Sequence, residues 1–331
     1  MGPYILRRLL LAVPVVFGTL TVLFLAFFVV PGDPVQLMSG ERTVSPQMRA
    51  NIEERLGLDQ PWYVQYGQYW SRLAHGDLGE SFTSRRSVTS ILADTAPSSL
   101  RLAFWALLIE VVIGVGVGVL SAARRYSLAD TATTVATTIV LGIPVFVLGY
   151  LLVYGLSVFP FQHGFPRWAQ LKAGGIGPDR WALGVIPLGD QWRYLLLPAV
   201  TLAAVQAVVL ARLTRSSMLD VLGTDYLRTA RAGGLTSRTV LLKHGLKNAM
   251  VPIVTLIGLD LATFFGAAIV TETVFSWPGI GSRVAGAASS LDAPIVLGLT
   301  LVIVLAYVVI NLLVDVSYAL LDPRIRYGRT L

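Results

Sequence analysis

The chain contains no cysteine, which excludes a disulfide framework and thiol chemistry. It has three histidines, His75, His163 and His244, none spaced as a metal-binding pair. Charge is scarce too. Of 331 residues 14% are charged and 54% are hydrophobic, whereas soluble domains average about 25% charged. The deficit points to lipid rather than to an unusually large core. A net charge of +7 does not indicate nucleic acid, because the basic residues are scattered along junctions between apolar runs, where they report orientation in a membrane. The lysines read "LKAG", "LKHG" and "LKNA", and none completes the G-x-x-x-x-G-K-[ST] cradle for nucleotide phosphates. A membrane enzyme would need a convergent histidine, cysteine or carboxylate cluster, and the sequence offers none at a common depth.

Long apolar runs are abundant. A spanning helix needs ~20 mainly apolar residues, and six windows qualify: Leu9–Val30, Leu102–Ala123, Thr131–Phe159, Leu195–Ala211, Ala249–Val270 and Ala293–Val314. The third is long enough to tilt or kink at Pro144, and the fourth is short. Prolines inside spans are tolerated where neighbouring helices satisfy the freed carbonyls. The first window exceeds a signal-peptide core of ~7–15 residues, and "VVPGDPVQ" has no small-x-small cleavage site, so a retained helix is expected.

Lysine and arginine in short loops set orientation. Arg7 and Arg8 precede the first span, and Arg124 and Arg125 follow the second. Arg212, Arg215, Arg228, Arg231, Arg238, Lys243 and Lys247 separate the fourth from the fifth, and Arg324, Arg326 and Arg329 follow the sixth. With six spans all four groups fall on one side, predicting that both termini are cytoplasmic. The chain then divides into a first helix (1–30), an extracytoplasmic helical segment (31–100), a five-helix core (101–320) with a cytoplasmic loop at 212–248, and a tail (321–331). In the outer segment, Met48, Ile52 and Leu56 recur on one helical face, as do Trp62, Tyr66, Tyr69 and Leu73 after Pro61. Such aromatics suit a helix at the membrane surface or against a partner; a small cap packed on itself is the alternative.

The cytoplasmic loop holds "RTARAGGL", Arg228–Leu235, too polar to cross a bilayer. Thr224 is expected as the N-cap, with Asp225 in the first turn at the positive end of the dipole. Arg228 and Arg231 fall toward the negative end, and Gly233-Gly234 is expected as a left-handed stop. A helix of barely two turns is unstable alone and needs a partner surface. Thr229, Ala230 and Ala232 would let a groove approach the backbone, while the arginines meet acidic groups. A second helix starts near Thr236 or Ser237 and runs into the fifth span.

This loop resembles the E-A-A-x-x-x-G loop of bacterial ABC importer permeases, with Arg228, Thr229, Ala230 and Gly234 at the E, A, A and G positions. Only the second alanine and the glycine match. The departure is similar to that of the dipeptide/oligopeptide/nickel type, in which a lysine often stands where Gly233 does. Further stretches resemble that type: "PGDP" (Pro31–Pro34), "LGLDQPWYVQYGQYW", "GDLGESF", "GIPVFVLGYLLVY", "LLLPAVTLA", "ETVFSWPGIG" (Glu272–Gly281) and "NLLVDVSYALLDPRIRY". Residues 160–193 depart as a Gly/Pro-rich, enlarged external loop.

The resemblance implies an all-α polytopic membrane protein with six transmembrane helices in the type I ABC importer permease fold. It implies a paralogous second permease, one or two cytoplasmic ATPase subunits and an extracytoplasmic substrate-binding protein, in the bacterial inner membrane. The chain would bind no cofactor, ATP and Mg belonging to the ATPases. It would form half of a pathway for di- or oligopeptides. The ATPase-coupling helix would comprise Asp225, Tyr226, Arg228, Thr229, Ala230, Arg231 and Ala232, closed by Gly233, Gly234 and Leu235. Glu110 and Asp260 lie within spans, where ionisable groups face protein or water; they are candidates for a pore or gate, or bond a neighbouring helix. Used as ion couplers, they would instead define a secondary transporter, although no internal repeat supports one. Gly114, Gly116 and Gly118 are expected as a small-residue packing face. "SWPGIG" reads as a turn set by proline and glycine. Phe275, Trp277 and Pro278 are candidates for an interfacial belt, the outer mouth or a binding-protein contact.

Overall fold

A computed structural model of the chain describes residues 2–28, 45–47 and 59–321, with side chains over 6–28, 45–47 and 59–316. The expected helix carrying Met48, Ile52 and Leu56, the Pro31–Pro34 turn and the tail beyond Leu321 lie outside the described residues. Among those described, six helices are long and apolar enough to span: Leu6–Phe28, Val88–Ala123, Val145–Gln162, Gln191–Leu222, Ser237–Val274 and Ala293–Val316. In chain order the helices are α1 (Gly2–Phe28), α2 (Trp62–Ala74), α3 (Val88–Ala123), α4 (Leu128–Gly142), α5 (Val145–Val153), α6 (Gln191–Leu222), α7 (Asp225–Ala232), α8 (Ser237–Thr239), α9 (Lys247–Val274), α10 (Ile280–Ser289) and α11 (Ala293–Leu321).

Two windows differ from expectation. Thr131–Phe159 is not one kinked helix. Ile143 and Pro144 are extended, at ψ 123° and 139°, because proline drives the preceding residue out of the helical region and donates no N–H. Its first half is α4, capped by the Ser127 hydroxyl accepting from Asp130 N. Its second half is the span, which continues from α5 through a π-helical stretch, Tyr154–Val158, to Gln162. The fourth window is not short as a helix. The polar residues after Ala211 end the apolar run, but α6 continues for 32 residues in all.

The chain divides into two units, Met1–Ser98 with Pro278–Val309, and Ser99–Trp277 with Ile310–Leu331. In the first, α2 lies along α1. Phe17 stacks on Trp70 at 5.0 Å, and Phe24 meets the Tyr66 ring at 5.0 Å. Thr21 and Tyr66 hydroxyls are 2.6 Å apart. Aromatic spacing in α2 thus serves packing on the first span. Burial pushes the Tyr69 phenol up to about 12. Val88, Ile91, Ile280, Val284, Val296 and Leu299 form this unit's core. The "GDLGESF" stretch is held by buried Asp292 just before α11. That carboxylate accepts from Ser81 Oγ (2.6 Å), Thr83 Oγ1 (2.7 Å), Phe82 N (3.1 Å) and Thr83 N (3.1 Å).

The second unit is built on α3, α6 and α9, whose Leu102, Ala106, Leu202, Phe264 and Ala268 share a core with Trp277. Spans associate by close van der Waals approach, which small residues permit. A Cβ on Gly114 would lie 2.9 Å from Leu210 Cβ, and one on Gly118 would lie 2.5 Å from Thr214 Cβ. Gly116 has nothing within 4 Å, since two residues further round a helix faces away. The packing face is therefore Gly114 and Gly118 alone.

Residues 160–193 are ordered rather than a slack loop. A hairpin of two-residue strands pairs Trp181–Ala182 with Ile186–Pro187 across a loop at 183–185, in which Leu183 (φ 49°) and Gly184 (φ 76°) are left-handed. Among the described residues it is the one two-stranded pairing, beside an isolated bridge between Glu80 and Ser87. Trp105 Nε1 donates to Val185 O at 2.8 Å, and Arg101 Nη1 reaches Asp179 at 2.9 Å.

Candidate functional site

The loop after α6 folds much as its residues suggest, with two corrections. Thr224 occupies the N-cap position of α7, but its hydroxyl makes no cap and donates back to Val221 O at 2.5 Å. Of the two glycines only Gly234 is left-handed, at φ 84°, while Gly233 is at −73°. Gly234 N donates to Arg231 O (3.1 Å) and Leu235 N to Ala230 O (3.3 Å). That pair of bonds is the Schellman termination, in which one residue in the left-handed region suffices. Thr236 then caps the next helix by accepting from Thr239 N. From Ser237 the chain stays helical to Val274, passing through a π-helical segment at Val240–Leu246.

α7 has one buried residue, Leu227, at 0% exposure. Tyr226 Oη accepts from Asn248 Nδ2 at 2.9 Å, tying α7 to the first turn of α9. Arg228, Thr229, Arg231 and Ala232 are exposed. The Arg228–Asp225 pair, 3.2 Å apart, is itself largely exposed and contributes little. Gly245, in the π-helical segment, admits Met218; a Cβ there would lie 3.3 Å from Met218 Cε. The result is a short helix anchored on one side and bare on the other, at the foot of a continuous helix into the membrane.

A polar clamp near the root of this loop escaped the sequence reading. Arg215 on α6 makes two bonds to Asp130, Nε to Oδ1 at 2.7 Å and Nη2 to Oδ2 at 2.9 Å. Ser121 Oγ also donates to Asp130, as does Tyr126 N at 3.0 Å. The Arg215 guanidinium first, then the serine and backbone donors, hold the Asp130 carboxyl well below the usual carboxylate range. The clamp joins α3, α4 and α6. In the sequence Arg215 reads only as an orientation marker, since nothing local to it points to Asp130, 85 positions away.

Glu110 and Asp260 are brought together, from α3 and α9. Glu110 is 0% exposed and Asp260 3%. Gln206 on α6 donates to Asp260 Oδ1, while both Glu110 oxygens and Asp260 Oδ2 have no donor among the described residues. A second buried carboxylate, Glu272, accepts from Ser99 Oγ at 2.6 Å. It begins the "ETVFSWPGIG" stretch, where nothing in the neighbouring residues points to Ser99.

Phe275 and Trp277 do not form an exposed belt or mouth. They are 1% and 0% exposed. The helix ends with Trp277 N donating to Glu272 O (2.8 Å) and Ser276 N to Thr273 O (3.2 Å), so Ser276, at φ 48°, turns the tryptophan back into the core. Gly279 is extended at φ −104° and does not make this turn. Pro278 is half-buried.

Six helices long enough to span, and a short exposed helix that one glycine turn separates from the fifth of them, are the features against which relatives can be compared. Residues 114–327 match the binding-protein-dependent transport system inner membrane component, and residues 1–103 match the N-terminal region of such membrane components. The chain belongs to this family and is a multi-pass inner-membrane permease subunit of an ABC importer. Among its relatives, the di/tripeptide permease DppB of Pseudomonas aeruginosa (strain UCBPP-PA14) is 38% identical over 337 residues, covering 98% of this chain and 99% of that one. The dipeptide permease DppB of Escherichia coli (strain K12) is also 38% identical, with the same coverage. The oligopeptide permease AppB of Bacillus subtilis (strain 168) is 36% identical over 99% of this chain and 100% of that one. Importers of this family work with ATPase and substrate-binding partners. The ion-coupled alternative is not favoured by these relatives.

Proposed function

We propose that the chain forms half of a pathway for di- or oligopeptides, opposite a paralogous permease, and that α7 docks on a cytoplasmic ATPase. The carrying observation is the continuity from α7, through the Gly234 turn, to a helix unbroken from Ser237 to Val274. A displacement of α7 by ATP-driven closure reaches the membrane without crossing a slack linker. The exposed Arg228 and Arg231 supply charge for acidic groups on the ATPase, and Leu227 fixes the helix to its own chain. ATP and Mg belong to the ATPases, in keeping with a chain that carries no P-loop lysine. An extracytoplasmic binding protein delivers the substrate. The distribution of lysine and arginine supports cytoplasmic termini, and the names of the relatives support a peptide substrate. Gln206 and Asp260 tie α6 to α9, and Glu110 of α3 lies buried beside them.

The test is Gly234→Val. A β-branched residue is strained in the left-handed region, so the angle between α7 and the following helix changes. ATP hydrolysis by the assembled importer is expected to persist while peptide uptake falls, with insertion unaffected. Coupled uptake at the wild-type rate would overturn the docking role.

A further inference from the structure

Between α3, α4 and α6 lies a groove of about 200 Å³. Its walls are apolar, including Ile113 and Val117 from α3, Val140 from α4, and Ala204 and Val208 from α6. Thr137 is its polar rim. All three helices are apolar enough to contact lipid.

At the Ala211 end of the groove stands Arg212. Its Nε donates to Thr137 Oγ1 at 3.2 Å and its Nη2 to Thr138 Oγ1 at 2.8 Å. A guanidinium has five N–H donors, so three remain, and among the described residues no carboxylate pairs with it. Arg215, one turn on, is neutralised by Asp130. Exposed Arg124 and Arg125 lie at the same end, since Tyr126 N reaches that Asp130. Tyr126 and Leu128 beside them are 79% and 89% exposed, the mixture of aromatic, aliphatic and arginine side chains that suits a membrane interface.

We propose that the groove seats one acyl chain of an anionic phospholipid, from the leaflet on the coupling-helix side, with the lipid phosphate held by Arg212. A chain of single methylene width fits, and only an amphiphile uses both the dry walls and the unpaired cation. Arg–phosphate recognition through paired N–H donors supplies the selectivity for charge.

The full-length chain, in its assembled complex in neutral detergent, is to be melted with added phosphatidylglycerol, phosphatidylcholine of the same acyl chains, or inorganic phosphate. Phosphatidylglycerol is expected to raise the melting temperature more than phosphatidylcholine, and inorganic phosphate not at all. Arg212→Gln is expected to remove the difference between the two lipids. Because the chain has no cysteine, Ala204→Cys provides one thiol inside the groove. Lipid is expected to protect it from a water-soluble maleimide whether or not a second permease is present. Equal protection by both lipids, an undiminished difference in Arg212→Gln, equal stabilisation by inorganic phosphate, or thiol protection only with the second permease would each overturn the proposal.

Discussion

At the scale of single residues, position on a helix decides what a glycine or a carboxylate does. Gly118 sits where α3 and α6 nearly touch, with Ala211 O only 2.6 Å from the site of an added Cβ. Gly118→Ala is therefore expected to destabilise the folded chain by ~1–3 kcal/mol, the usual cost of overpacking. Gly116→Ala, with open space around it, should be neutral or slightly stabilising, since alanine favours the helix. Melting both variants in detergent compares them directly. Asp130 gives a pH prediction. Its folded-state carboxyl lies below the ordinary value of ~3.9, so the clamp contributes stability above that value and loses it as pH falls through the lower, folded one. The stability gap between wild type and Asp130→Asn should stay constant from neutral pH to about 5, and close only below ~3.9. A gap already closing near neutrality would mean that the carboxylate is not held by Arg215.

Individual elements owe their ends to local chemistry. The break at Ile143-Pro144 divides one apolar run into α4 and the span that starts at Val145, whereas Pro198 and Pro252 sit inside helices that continue through them. α7 ends at a left-handed glycine, visible as Gly-Gly before any coordinates, although which glycine turns depends on the backbone bonds to Arg231 and Ala230. α7 has too few residues to persist unaided; Leu227 and the Tyr226–Asn248 bond hold it. Deleting 226–233 should release the ATPase during purification while the chain still inserts in the membrane. Co-purification at wild-type levels would place the contact elsewhere.

For the whole molecule, the central expectation concerns energy. The chain, reconstituted in liposomes without a nucleotide hydrolase, should not accumulate peptide against a gradient, and accumulation would contradict a passive permease subunit. Much of the architecture was legible beforehand: six spans, a short polar helix and a long helix running back into the membrane. The outer-mouth reading of Phe275 and Trp277 failed because an aromatic near the end of a span looks the same in sequence whether it turns outward or, as here, is folded back by Ser276.

The sequence by itself determined that six helices are long enough to cross and that a short polar helix lies between the fourth and the fifth. Run length against bilayer thickness is a property of consecutive residues, and so are proline breaks and glycine stops. Tertiary structure alone decided that Asp130 meets Arg215, that Asp292 gathers Ser81 and Thr83, and that Glu110 faces Asp260. Those partners are far apart in the chain, and side-chain charge does not announce its counterpart. Only the tertiary fold brings them together.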